Sequence, residues 1–373
     1  MKMKRLIPLA VLAAISCGGE DAAPGEQDVN EAPVTLLGNT EIIPTYTVIA
    51  DARDGLDVPR DLGFHPERIG ELWIVNRADD SVVIVSDATQ NHSDIFKLID
   101  GYALHFMEEV SSIAFGAKTF QDDYTFGTCQ ETENTYNGQS PPDFFMGPSL
   151  WSADLSVFAV ENPIGLGSHL DMLHHSPNCM GIAHERENVY WVFDGHHGQI
   201  VRYDFQEDHG AGYDDHSDGI ITFLETPKVS RVPDVPSHLV LDHARDTLYV
   251  ADTGKARILA VDTVAREYVR RIPPIERGTV VEEWDAPWTE LIPASSGLLE
   301  APSGIALHDD ILYVGDNATG DILAFDLGGE TPGELLARLP TGVEPGDLMG
   351  LEVGPDERLY IVDASGLVMR LEK

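Results

Sequence analysis

Five histidines stand where only a fold can bring them together: His174, His175, His196, His197 and His238. Neutral imidazoles converging on one rigid opening bind zinc, copper or iron, and acid weakens such a site by protonating the rings. The same residues serve equally as a polar rim bonded to backbone and water. Arg77 also carries two readings, orientation of an anionic substrate or an ion pair with Asp79 or Asp80. Asp214, His216, Asp218, Gly219 and Glu225 follow the spacing of a calcium loop, with Ile221 as its apolar member. Imidazole is a poor ligand for a hard cation, however, and the flanking segments read as strands, so an acidic strand-connecting turn accounts for the pattern too. His184-Glu185 lacks the second histidine of a zinc-protease helix, and no Gly-x-Ser-x-Gly elbow or phosphate-cradling glycine loop occurs.

The elements that must position these residues repeat. Pro302 to Leu307, Leu312 to Asp316 and Ile322 to Asp326 form one copy of a short apolar strand, a strand ending in an acid, and a third strand. Similar copies run through His238 to Asp262, Met180 to Asp204 and Met349 to Leu371, and weaker ones open at Leu62 and at Ser112, giving six. Short β-rich segments without helical periodicity predict an all-β, six-bladed β-propeller, because each four-stranded unit has an apolar face that only its neighbours can cover. The last copy lacks an outer strand, whereas Tyr46 to Ile49 has no blade of its own. The N-terminal strand is therefore expected to complete the last blade and close the ring, which removes a sheet edge.

Asp194, Asp252, Asp316 and Asp363 end successive second strands, and their regularity points to capping of the following turn rather than to a metal. Propeller topology places loops entering inner strands, and hairpins between second and third strands, at one end of the ring. That rule groups the five histidines with Arg77, and the insertion from about Gln130 to Pro148 is expected to reach the same mouth.

These phrases resemble the NHL-repeat family, and residues 41 to 373 are similar to peptidyl-α-hydroxyglycine α-amidating lyase. Ile74-Val75-Asn76-Arg77-Ala78-Asp79 is similar to that family's first-blade segment with a substrate-facing arginine, which implies this role for Arg77. Asp194-Gly195, followed by Gln199-Ile200-Val201, resembles the segment that holds the catalytic tyrosine; His196 occupies the tyrosine position here. The family's zinc histidines fall on Ser111, Ser237 and Met349, none a good zinc ligand, and its second arginine on Thr253. His238 is one residue away from a ligand position, which on a strand turns the side chain to the other face. The resemblance implies the fold without the amidating reaction. The leading expectation is a binding propeller with a His-rich face for a small molecule, a peptide, a metal or a protein partner. The alternative is a metal-dependent lyase or hydrolase in which Arg77 orients substrate and His196 is the general acid or base.

With 63 acidic and 24 basic residues the 373-residue chain carries a formal charge of −39, which gives it little attraction to nucleic acid or anionic lipid. Lys2, Lys4 and Arg5 precede an apolar stretch from Leu6 to Ile15, and Ala14-Ile15-Ser16-Cys17 resembles a bacterial lipobox. The lipoprotein signal segment is residues 1–17, and the resemblance implies processing that leaves Cys17 as the lipidated first residue of the mature protein, with plain secretory cleavage as the alternative. Residues 18–40 are expected to be a disordered tether and 41–373 the propeller, held at a membrane only by the anchor, in the periplasm or on the cell surface. The other cysteines, Cys129 and Cys179, form either one disulfide or two buried thiols.

Overall fold

The computed structural model describes residues 34–42, 44–90, 93–133, 145–163, 165–213, 215–275 and 277–372. Residues 33–373 form one compact unit. The leader, Cys17, and the proposed tether up to residue 33 lie outside the described residues, as does most of the insertion in the second repeat (134–144). Leu36 and Leu37 do not behave as tether: Leu37 is buried, and the Leu36 N–H donates to the Tyr313 hydroxyl. The packed body thus begins before residue 41.

The strands of the described residues form six sheets, each with four or more strands. Blade 1 is built from Pro59–Phe64, Leu72–Asn76, Ser81–Val85 and Ile95–Leu98, running from the inner to the outer strand. Blade 2 is Val110–Phe120, Asp123–Gln130, Ser149–Ser152 and His169–Met172. Blade 3 is Cys179–Arg186, Val189–Asp194, Gln199–Asp204 and Ile220–Leu224, and blade 4 is Leu239–Asp242, Thr247–Asp252, Arg257–Asp262 and Trp288–Ile292. Blade 5 is Pro302–His308, Ile311–Asp316, Asp321–Asp326 and Glu334–Pro340. Blade 6 takes Leu348–Val353, Leu359–Asp363 and Leu367–Leu371 from the C-terminus and its outer strand, Tyr46–Asp51, from the N-terminus. The ring closes as the unpaired strand pattern predicts.

Why these strands are apolar on both faces follows from the stacking. Leu72–Asn76 and Val189–Asp194 are buried at every position, because each sheet is covered by a neighbour on either side. The apolar core is correspondingly divided into six clusters, each shared by two adjacent blades. The cluster joining Leu62, Leu72 and Ile74 of blade 1 to Met349, Tyr360 and Val362 of blade 6 is the closing one. Glycine lets inner strands approach closely: a β-carbon on Gly181 would collide with the Ser237 carbonyl, and one on Gly350 with Asp61. Cys129 of blade 2 and Cys179 of blade 3 are joined through their sulfurs, with Cα atoms 5.1 Å apart.

One sheet departs from four strands. The connection between the third and outer strands of blade 4 sends out a hairpin, Glu267–Ile272 with Val280–Asp285, whose second strand pairs parallel with the outer strand of blade 3 and extends that sheet to six. The acids ending the second strands do cap turns. Asp194 accepts from the His196 and His197 N–H groups, Asp316 from Ala318, and Asp363 from Ser365. Asp252 differs, accepting from Ser230 in the preceding inter-blade connection and pairing with Arg257 at 2.8 Å.

Candidate functional site: the axial channel and its mouth

The inner strands enclose an axial cavity of about 310 Å³. The lining residues are apolar except at four places that sequence reasoning did not combine: Asp61, His184, His238 and Glu352. Asp61 Oδ2 accepts the Ile113 N–H of the next blade at 3.0 Å. His238 Nε2 lies 3.6 Å from the same oxygen and 3.3 Å from the Ser111 carbonyl. Burial pushes Asp61 up to about 8 and Glu352 up to about 7, and it pulls His238 down to about 4. Each shift favours the neutral form. The Asp61–His238 approach is therefore a contact between uncharged groups near neutral pH and not an ion pair, despite its distance.

At the end of the channel where inner strands begin, charge is concentrated. Arg77, in the second–third hairpin of blade 1, pairs with Glu109 and Asp234 at 2.9 Å each and approaches Glu131 at 3.6 Å. Its partners are not Asp79 and Asp80: Asp79 is held by Lys97, and Asp80 accepts the Glu109 N–H. Glu131, at the start of the blade 2 insertion, also accepts from Arg231 at 2.7 Å and from the Asp234 N–H at 2.8 Å. The described part of the insertion thus reaches the mouth.

Arg60 is different in kind. Only 4% exposed, it has neither Nε nor Nη1 hydrogen-bonded among the described residues. Burial and then the like charge of Arg77 pull its guanidinium down to about 10, while Glu131, Asp234 and Asp347 oppose that shift. It remains a cation, and its free N–H groups form a donor pair lacking an acceptor. The sequence signal was an Arg-Asp pair inside an otherwise apolar inner strand; a register shift between Pro59 and Asp61 lets both side chains pack inward.

The positions aligned with zinc ligands have another task. Ser111 Oγ donates to the Cys179 carbonyl of blade 3 at 2.7 Å. Ser237 shares a 2.7 Å hydroxyl contact with Thr253, which donates to the Pro302 carbonyl of blade 5, and Ser303 reaches the Met349 carbonyl of blade 6. Small hydroxyls here stitch blades together, and Met349 packs into the closing cluster.

The five histidines do not assemble as one set. His238 lies in the channel, as above. His175 and His197 flank Phe223 of blade 3, with ring centroids 6.2 and 5.6 Å from it. His196 stacks edge-on against His197, and His174 against His216. His197 Nδ1 is bonded to Asp194 Oδ2 at 2.7 Å, and His175 Nε2 accepts the Ile275 N–H. Among the described residues only Asp171, His209 and Asp218 meet closely enough as a group of potential metal ligands. Among the described residues the expected transition-metal histidines do not meet as one such group, and neither do Asp218 and Glu225 of the calcium template. Asp214 lies outside the described residues, Asp218 bonds to His209, and Glu225 follows the outer strand of blade 3, where its N–H donates to the Trp284 carbonyl. Arg77 and His196, the expected catalytic pair, share no contact among the described residues.

No family model matches the chain, and no curated protein matches it in sequence. Solved structures do match in fold. A glucose dehydrogenase aligns with a TM-score of 0.54 at 15% identity, over 88% of this chain and 99% of that one. A luciferin-regenerating enzyme aligns at 0.53 and 12% identity, over 88% and 95%. An auxiliary nutrient binding protein from Bacteroides thetaiotaomicron VPI-5482 aligns at 0.53 and 14% identity, over 86% and 70%. At such identities the similarity establishes the fold alone, and the chain is a six-bladed β-propeller.

Proposed function

We propose that this chain is an exported, lipid-anchored binding propeller that holds a carboxylate-bearing small molecule or peptide at its axial mouth, with Arg60 as the anchor. The observation that carries this reading is the pair of buried, unpartnered Arg60 N–H groups facing a ring of charged side chains. A carboxylate oxygen supplies a missing acceptor through a charge-assisted hydrogen bond to the guanidinium. Asp234 and Asp347, on the same rim, favour a ligand that also presents an ammonium or hydroxyl group. Arg77, which the amidating-lyase resemblance would make substrate-facing, is already paired with three acids and in this reading holds the rim in place. The NHL-type ancestry, the leader ending at Cys17 and anchorage in the periplasm or on the cell surface belong to the same proposal. Fold neighbours described as auxiliary nutrient binding proteins, from Bacteroides thetaiotaomicron and Bacteroides ovatus, lend the binding role plausibility.

Glycylglycine and succinate are suitable probes. Calorimetric titration is expected to detect binding of at least one to the native protein and none to Arg60→Met, which keeps the stem and removes the donors. Absence of binding by both probes, or equal binding by the variant, overturns the assignment of Arg60.

A further inference from the structure

We propose that Asp171, His209 and Asp218 form a divalent transition-metal site of the zinc class, which clamps the outer edge of blade 2 to blade 3. The site is independent of the axial mouth. The loop at 205–219, between the third and outer strands of blade 3, lies along the outer strand of blade 2: the Gly212 N–H donates to the His169 carbonyl at 2.7 Å, and the Leu166 N–H to the Gly212 carbonyl at 2.9 Å. This path sets His209 and Asp218 against Asp171, so that one ligand atom from each lies within 4.8 Å of the others.

A second observation points to an ion. Asp171 is fully buried, and its Oδ1 accepts from His216 Nδ1 and from the Met172 N–H, both at 2.6 Å. Its Oδ2 has no hydrogen-bond partner among the described residues. A buried carboxylate oxygen without a donor carries a desolvation cost that a cation removes. His209 Nε2 and Asp218 Oδ1 are 2.9 Å apart, joined by a shared proton. A bound ion takes that proton's place, and the proton leaves to His209 Nδ1 or to solvent. One imidazole nitrogen with two carboxylates suits a zinc-class ion better than calcium, and three protein ligands leave coordination positions for water. His216, donating to Asp171, fixes the carboxylate's orientation.

The test uses untagged full-length protein stripped with a chelator and titrated with zinc ions, with retained zinc counted by elemental analysis after gel filtration. One equivalent per chain and a raised melting temperature are expected. His209→Ala and Asp218→Ala, at side chains 19% and 31% exposed, are expected to keep the native near-ultraviolet spectrum. Each is expected to weaken zinc binding by about a hundredfold or more, since outer-shell changes alone cost about 10–100-fold. His196→Ala with His197→Ala is expected to leave binding unchanged. The proposal is overturned if no zinc is retained, if both loop variants retain it as the native protein does, or if calcium is bound in preference to zinc.

Discussion

Replacing Asp61 by Asn tests the electrostatics of the channel. In the folded chain burial holds the Asp61 carboxyl at about 8, whereas in the unfolded chain it ionises near 3.8. Between these values the folded state keeps a proton that the unfolded state has released. Stability contributed by this group is therefore complete below about pH 4 and is lost as pH rises towards 8. A displacement of about four pH units, at about 1.4 kcal/mol per unit, sets a ceiling on the order of 5 kcal/mol. Water entry and local relaxation bring the realistic loss to about 2 kcal/mol. Asn retains an acceptor for the Ile113 N–H and cannot ionise. Urea denaturation should accordingly show the stability of the variant relative to the native protein rising by up to about 2 kcal/mol between pH 5 and pH 9. His238 works in the opposite sense, because its folded value near 4 makes stability grow as pH rises through 4 to 6.5, but both proteins share it. A stability gap that stays constant from pH 5 to pH 9 would refute the claim that Asp61 is buried in its protonated form.

Other perturbations probe the ring and its rim. Gly181→Ala forces a β-carbon into the Ser237 carbonyl and is expected to cost about 2 kcal/mol or more, read as a lowered urea midpoint. Ser111→Ala removes a buried donor to the Cys179 carbonyl and should cost about 1 kcal/mol by the same assay. Reduction of the Cys129–Cys179 bridge, which spans 50 residues of sequence, should destabilise the protein by up to about 4 kcal/mol, seen as a fall in melting temperature with reductant. Arg77→Ala should cost about 1 kcal/mol, since the Glu109 and Asp234 side chains are 44% and 68% exposed and Glu131 keeps Arg231; a cost that survives in high salt would contradict this reading of its ion pairs.

The ring was legible because its evidence is local and repeated. A blade announces itself through an apolar second strand ending in an acid, and the missing outer strand after Arg370 implied a donor at Tyr46. The inserted hairpin was not legible: Glu267–Ile272 is exposed or half-exposed throughout and shows no apolar alternation. Topology sorted His175, His197 and His238 to one end of the ring but carries no information about distance from the axis. His238 belongs to the channel, whereas His175 and His197 sit beside Phe223 of the outer strand of blade 3. Arg60 and Asp61 were hidden because an irregular register turns two successive side chains inward, which strand alternation forbids in a regular ladder. Asp171 and His209 are separated by 38 positions of sequence, and only the course of the blade 3 loop over blade 2 brings them together.

The claim on which the functional account rests is that Arg60 awaits a carboxylate. A crystal structure of the native protein soaked with succinate or glycylglycine tests it most directly. The account predicts a carboxylate oxygen within hydrogen-bond distance of Arg60 Nε or Nη1; water alone on those two atoms, or a probe bound elsewhere, would contradict it.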